Sequence, residues 1–233
     1  MSQQGWNRLA SEFEESVCDI TVSSGDQLAE LVDAIPNIRG QTLVDAGCGI
    51  GSFTKRFGPG FRKVIAFDFA SAMVRRARSR CRKLAHVTWR TLPLENAGPK
   101  LGAVGHLVAC LNVITSPRAV LRSRQWDSVV QLVKPEGHLL LVVPSLESAR
   151  HVAEQSSDAF EGQVDAVDDL VCRCETDQKH FTRREFRRAL VSRGMKVINL
   201  RRIHYPWIDD GLEASSAKPP WDWVCLSQKP LEA

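Results

Sequence analysis

Three glycines at positions 47, 49 and 51 follow Asp45 within TLVDAGCGIGSFT, residues 42–54. The apolar pair Leu43-Val44 reads as a strand that ends at the acid, and the residues after Gly51 can open a helix. In a strand–turn–helix, glycines at this spacing allow a sharp turn and let a bulky ligand lie against bare peptide N–H groups. A second apolar run, Val64-Ile65-Ala66-Phe67, ends in Asp68. That acid falls about 20 residues past the loop, where nucleotide-binding α/β folds place the carboxylate that holds ribose hydroxyls. A carboxylate has two acceptor oxygens and can take both hydroxyls at once. Loop and acid together read as a site for a nucleoside.

DAGCGIGSFT is similar to the first motif of class I S-adenosylmethionine-dependent methyltransferases, and VIAFDFASAM to their second. HLVACLNVI resembles the family's fourth strand, LVKPEGHLLLVVP its fifth with the turn before it, and HFTRREFRRALVSRGMKV its late helix and sixth strand. The likeness covers roughly four fifths of the chain, in the right order. It implies an α/β fold: a doubly wound, mostly parallel seven-stranded sheet with helices on both faces and an antiparallel last strand. It also implies an N-terminal helical cover over 1–40, and a methyltransferase domain over 41–233 with a helical insertion at 145–180 after the fifth strand.

The implied cofactor is S-adenosyl-L-methionine. By resemblance, Gly47, Cys48 and Gly49 lie against its methionine part, Gly51 lets the first helix pack closely, and Asp45 joins the network around the amino group. Asp68 takes the ribose, Phe69 covers the adenine face, and Met73 belongs to the same set. Leu111 and Asn112 stand beside the methionine amine. Bland readings exist for several: Asp45 as an acid capping a strand end, Phe69 as core, Asn112 as a turn residue or helix cap. Many relatives bind the adenine edge through an acid after the third strand. This chain has Trp89-Arg90-Thr91-Leu92-Pro93 there, which leaves Thr91 or Leu92 for that contact.

Methyl transfer asks little chemistry of a protein beyond holding a nucleophile in line in a dry pocket, with a base where the acceptor carries a proton. His180, His151 and Tyr205 are the candidate bases, and each also reads as a surface or packing residue. His106 and His138 fall in strand positions and read as structural. Cys172-x-Cys174 lacks the partners of a zinc site, so no metal is expected. The chain reads Asn112-Val113-Ile114-Thr115 after the fourth strand, without the [DN]-P-P-[YFW] that holds base amines in nucleic-acid aminomethyltransferases. Ser52 replaces the third glycine of the dinucleotide fingerprint, and no G-K-[ST] follows the loop. The leading reading is transfer of a methyl group to an oxygen, nitrogen or carbon of a small molecule. The alternatives are a non-catalytic cofactor-binding partner or activator subunit, and an RNA methyltransferase.

The elements that must position these residues follow from length and periodicity. A chain of 233 residues fits one α/β domain, burying about 70–75% of its unfolded surface. The longest wholly apolar run, Leu139 to Val143, is too short to span a bilayer, so no membrane partner is expected. The N-terminus has no basic-then-apolar export signal, and 7 scattered cysteines read as reduced thiols of a cytoplasmic protein. A net charge of +4 is mild. The arginines at 75–82 and 183–188 read as solvated helix faces, and no nucleic acid is expected. Strands are predicted near 42–46, 63–67, 86–90, 104–111, 137–143, 196–203 and 222–228. Helices are predicted near 5–17, from Ser23 to Pro36, and near 52–57, 71–84 and 118–133, with another opened by the Thr182–Glu185 capping box and closed at Gly194. Residues 145–180 are too long for a simple connection and read as a lid, joined by His204-Tyr205-Pro206-Trp207.

Overall fold

The computed structural model describes residues 2–11, 13, 19–155, 164–165, 170–173, 176–204 and 219–231. Its central sheet grows from the strand before the glycine loop. β1 (Thr42–Ala46) pairs in parallel with β2 (Lys63–Asp68) on one side and β4 (Gly105–Leu111) on the other. β3 (Val87–Thr91) adds beside β2, and β5 (Val133–Pro144) beside β4, both parallel. The small strands β6 (Val164–Asp165), β7 (Leu170–Arg173) and β8 (Thr176–Lys179) lie in the 145–180 segment. β10 (Trp221–Gln228) then runs antiparallel to both β5 and β9 (Lys196–His204). The order β3-β2-β1-β4-β5-β10-β9 makes the expected seven-stranded sheet.

Strand alternation splits the core into two layers. Val44, Phe67, Val108, Leu139 and Leu141 face one side, against Trp126 and Val129 of the helix Ala119–Gln131 and Phe186 and Leu190 of the helix Arg183–Val191. Leu43, Val64, Ala66, Leu107 and Leu140 face the other, against Leu28, Leu31 and Val32 of the helix Gly25–Asp33 and Phe53 and Phe57 of the helix Ser52–Phe57. Phe186 is fully buried, so its truncation to alanine costs about 3–5 kcal/mol. The capping box forms as read: Thr182 accepts from the Glu185 amide while the Glu185 carboxylate accepts from the Thr182 amide at 2.9 Å, and Gly194 ends the turn at φ +77°.

The structure departs from the sequence reading in four places. The helix Leu94–Leu101 was not predicted, because Gly98 and Pro99 within it read as a loop. Tertiary contact stabilises it instead: the Gly98 amide donates to Ser128 Oγ at 2.7 Å, and a Cβ at Gly98 would stand 2.7 Å from the Ser128 carbonyl oxygen. The N-terminal helix Gln3–Leu9 ends in a turn at 10–11, the rest of the expected 5–17 helix lying, Phe13 aside, outside the described residues, and the helix starting at Ser71 stops at Arg80. The 145–180 insertion is not simply helical. It opens with the helix Leu146–Gln155 and then forms the antiparallel sheet β6-β7-β8. Its C-terminal end is tied back by the Phe181 amide on Pro144 O of β5 at 2.8 Å and by the Lys179 amide on Thr115 O, in the loop after β4, at 2.9 Å. Among the described residues, no helix is long and apolar enough to cross a membrane.

Candidate functional site

β1 and β4 are sheet neighbours from which the chain builds outward in opposite directions. The loops after them therefore part at their carboxyl ends and leave a crevice there. Gly47, Gly49 and Gly51 adopt φ of +78°, +50° and +83°, a region where side chains are strained. At Gly47 space is lacking too, since a Cβ would meet Val113 Cγ2 at 2.3 Å. The Gly51 Cβ position is 3.0 Å from Ala77 Cβ, so this glycine lets the helix Ser71–Arg80 approach. The loop amides are not bare, contrary to expectation. Those of Gly47 and Cys48 donate to Phe67 O at 2.8 and 2.9 Å, that of Gly51 to Cys48 O at 2.8 Å, and that of Gly49 to Asp68 Oδ2 at 3.1 Å. The glycines shape a tight, internally bonded turn, and Gly47 and Gly49 border the crevice.

Both motif acids are buried. Asp45 Oδ2 accepts from the Thr54 amide at 3.1 Å and the Thr54 hydroxyl at 2.6 Å. Burial pushes its pKa up to about 7; the Thr54 hydrogen bonds oppose the rise, and the charges of Asp68 and Asp19 add to it. Asp68 accepts from the Ala70 amide at 2.8 Å through Oδ1 and from Gly49 through Oδ2. Burial raises its pKa as well, against those backbone bonds. The Cys48 thiol is pushed well above its usual range by burial and by the two nearby acids, so it stays protonated and is not a nucleophile.

A cavity of about 560 Å³ fills the crevice. Asp45, Gly47, Cys48, Gly49 and Asp68 border it, as do Phe69, Met73, Leu92, Leu111 and Asn112. Gly51 and Thr91 do not: Gly51 lies beneath the loop against Ala77, and Thr91 points to solvent. Leu92 is thus the member of its pair that faces the cavity. Trp6 and Phe13 border it from the N-terminal segment. That segment is tied down where the Ala72 amide donates to Asn7 Oδ1 at 2.9 Å and Arg76 to Ser11 O at 2.8 Å.

The candidate bases fare differently. His180 is buried, with Nδ1 3.2 Å from Gln178 O, and does not border the cavity. His151 packs its ring 5.7 Å from that of Trp221 and does not border it either. Tyr205 lies outside the described residues, as do Pro206, Trp207 and Cys174. Among the described residues, no group of His, Cys, Asp or Glu is arranged to hold a metal.

Several cavity residues escaped the sequence reading: Glu95, Arg118, Gln125, Asp177 and Gln178. Gln125 had a legible signal, a polar residue inside the apolar stripe of its helix. Asp222, at the start of β10, had none. It is 2% exposed and accepts from Asn112 Nδ2 at 2.9 Å and from the Ser145 amide at 3.3 Å. It thereby fixes Asn112, itself held at φ +54° on the cavity wall.

Residues 43–137 match the methyltransferase domain family. Among curated proteins, none matches this chain. Solved structures share the fold at low identity. One is the complex between the Haloferax volcanii Trm112 methyltransferase activator and a methyltransferase, with a TM-score of 0.70, 15% identity, and coverage of 97% of this chain and 97% of that one. Another is magnesium protoporphyrin IX methyltransferase from Synechocystis PCC 6803 with bound S-adenosylhomocysteine, with a TM-score of 0.65, 18% identity, and coverage of 88% and 81%. The N-methyltransferase NodS from Bradyrhizobium japonicum WM9 with the same ligand gives 0.61, 13%, 88% and 85%. The glycine turn and the two acids thus lie inside the stretch that matches the methyltransferase domain family, on a fold shared with solved methyltransferases.

Proposed function

We propose that this enzyme transfers the methyl group of S-adenosylmethionine to a small-molecule acceptor. One observation supports the reading: a cavity of about 560 Å³ fills the crevice, lined in part by Trp6 and Phe13 and by Asp177 and Gln178 of the 145–180 segment. Such a volume suits a small ligand, where a polymer would ask for an open groove. The donor set fits the cofactor. Asp68 retains carboxylate lone pairs for the ribose, Asp45 and Asn112 are placed for the ammonium and carboxylate of the methionine part, and Phe69, Met73 and Leu92 offer an apolar slot for adenine. When bound, the cofactor supplies an electrophilic methyl group on a sulfonium. The protein's part is to hold both partners and exclude water.

Residues 1–40 act as the cover of the cofactor and the 145–180 segment as the acceptor-side wall of the 41–233 domain. Three residues of the arginine clusters are engaged within the fold. Arg80 is bonded to Ile50 O at 2.8 Å, Arg76 to Ser11 O, and Arg183 to Leu200 O at 3.3 Å, so they brace the fold. The free thiols of Cys48, Cys81, Cys110 and Cys225 agree with a cytoplasmic, reducing setting. The test is a thermal-shift screen of the protein saturated with S-adenosylhomocysteine, against small metabolites and against RNA in about 0.15 M salt. Additional stabilisation by a metabolite is expected. A stable RNA complex at that salt would move the acceptor to nucleic acid.

A further inference from the structure

The acceptor end of the cavity holds a side chain for which the fold has no use. Gln125 lies on the helix Ala119–Gln131, is 8% exposed, and borders the main cavity. Its Oε1 is buried and has no hydrogen-bond partner, and its side chain bonds to no described residue. Its neighbours on that helix are engaged: Ser128 Oγ bonds Gly98 and Leu94, and Trp126 packs edge-on to Phe181. An unpaired acceptor in a buried place is costly to the free protein, and a ligand that brings a donor removes the cost.

A second, outer cavity of about 350 Å³ adjoins the first and shares Glu95, Arg118 and Leu121 with it. Arg124 borders only the outer one of the two. Among the described residues, no carboxylate lies within ion-pair distance of Arg118 or Arg124. Arg122, between them in sequence, is committed elsewhere. It donates to Ser116 O at 2.6 Å and to Pro117 O at 2.7 Å, bracing the loop that carries Arg118. The sign of charge therefore reverses along the site. The inner part carries Asp45 and Asp68, suited to a cationic cofactor, while at the mouth two arginines outweigh Glu95.

We propose that these residues form the acceptor subsite, and that the acceptor is a small anion, a carboxylate or phosphate monoester, whose other end carries a hydroxyl or amine. The anionic group sits between Arg118 and Arg124, and the O–H or N–H donates to Gln125 Oε1. A guanidinium pair suits either oxyanion through parallel N–H donors, and the buried amide requires a donor at the far end. This assignment rests on the small-molecule reading above.

The test uses inorganic phosphate as the probe. The full-length protein, saturated with S-adenosylhomocysteine, is titrated calorimetrically with phosphate at constant ionic strength. Saturable binding is expected, weakened at least about tenfold, or about 1.4 kcal/mol, in the Arg118→Gln/Arg124→Gln variant, with affinity for S-adenosylhomocysteine kept. No phosphate binding, or binding that ignores the two substitutions, overturns the proposal. Failure to bind S-adenosylhomocysteine sinks the methyltransferase reading instead, so the two failures are distinguishable. A second arm addresses Gln125. Because its Oε1 has no partner, Gln125→Leu is expected to leave the melting temperature of the ligand-free protein unchanged or raised. A fall of more than about 3 °C, the scale of a lost structural bond in a chain of this size, shows that the fold and not a ligand uses the glutamine, and also overturns the proposal.

Discussion

Asp45 should make the ligand-free protein less stable as the pH rises, and its replacement should expose a conflict between stability and cofactor binding. The carboxyl has 3% of its surface exposed and a pKa pushed up from 3.8 to about 7 by burial. At about 1.4 kcal/mol per pH unit, ionising it in place costs the folded state on the order of 4 kcal/mol relative to the unfolded chain. The native state binds the proton more tightly, so this group's stabilising effect is complete below pH ~4 and is lost between about 4 and 7. Asp68, Asp19 and the Cys48 thiol face the same space, and none offers a compensating positive charge. Asp45→Asn keeps an oxygen for the Thr54 donors and cannot ionise. Urea unfolding of the ligand-free proteins at pH 5 and pH 8 is the assay. Asp45→Asn should gain about 2–4 kcal/mol relative to wild type between the two pH values, while losing affinity for the cofactor cation by calorimetry at pH 8. Equal differences from wild type at both pH values would refute the argument, since folded Asp45 would then be ionised at both, as it is in the unfolded chain.

Three further outcomes follow from the same geometry. Asp68→Ala should weaken S-adenosylhomocysteine binding by about 1.5–3 kcal/mol, from lost charge-assisted bonds and a released Gly49 amide; calorimetry that finds unchanged affinity would place the ribose elsewhere. Gly47→Ala should lower stability by about 1–2 kcal/mol for its left-handed backbone and a further ~1–3 kcal/mol for overpacking against Val113. Adding Val113→Ala should recover only the second part in urea titrations, and an additive double variant would contradict the clash. Replacing residues 156–175 by a glycine-serine linker should keep cofactor affinity within about threefold, under ~1 kcal/mol, while methyl transfer is lost, because β8 loses its pairing with β7 and Asp177 and Gln178 leave the cavity wall. That cut must spare Ser148, which accepts from the Trp221 amide at 2.9 Å, and Ala149, which is fully buried. Unimpaired transfer would make the segment a decoration.

Features written in short range were legible in the chain. The alternation of Leu43 and Val44, the glycines at 47, 49 and 51, Asp68 at the next strand end and the Thr182–Glu185 box each depend on residues a few positions apart. All are found where periodicity and turn chemistry put them, because backbone sterics and one local hydrogen bond decide them. Local signals misled where distant contacts outvoted them. Gly98-Pro99 reads as a breaker, yet Ser128, from another helix, holds it in one. The glycine loop reads as a row of free donors, yet Phe67 O and Asp68 of the neighbouring strand take those amides once β1 and β2 are in register. The proposed acceptor half, Gln125 aside, was out of reach of local signals. Glu95, Gln125 and Asp177 come from separate elements, Arg118 caps the helix that carries Gln125, and Asn112 depends on Asp222 of the antiparallel last strand, a hydrogen bond spanning 110 residues of sequence. The nucleotide half is built by one strand–turn–helix and its neighbour, so sequence alone specifies it. The proposed acceptor half is lined jointly by Asp177 and Gln178 of the 145–180 segment and Gln125 of the helix Ala119–Gln131, and the folded packing alone decides which side chains share that space.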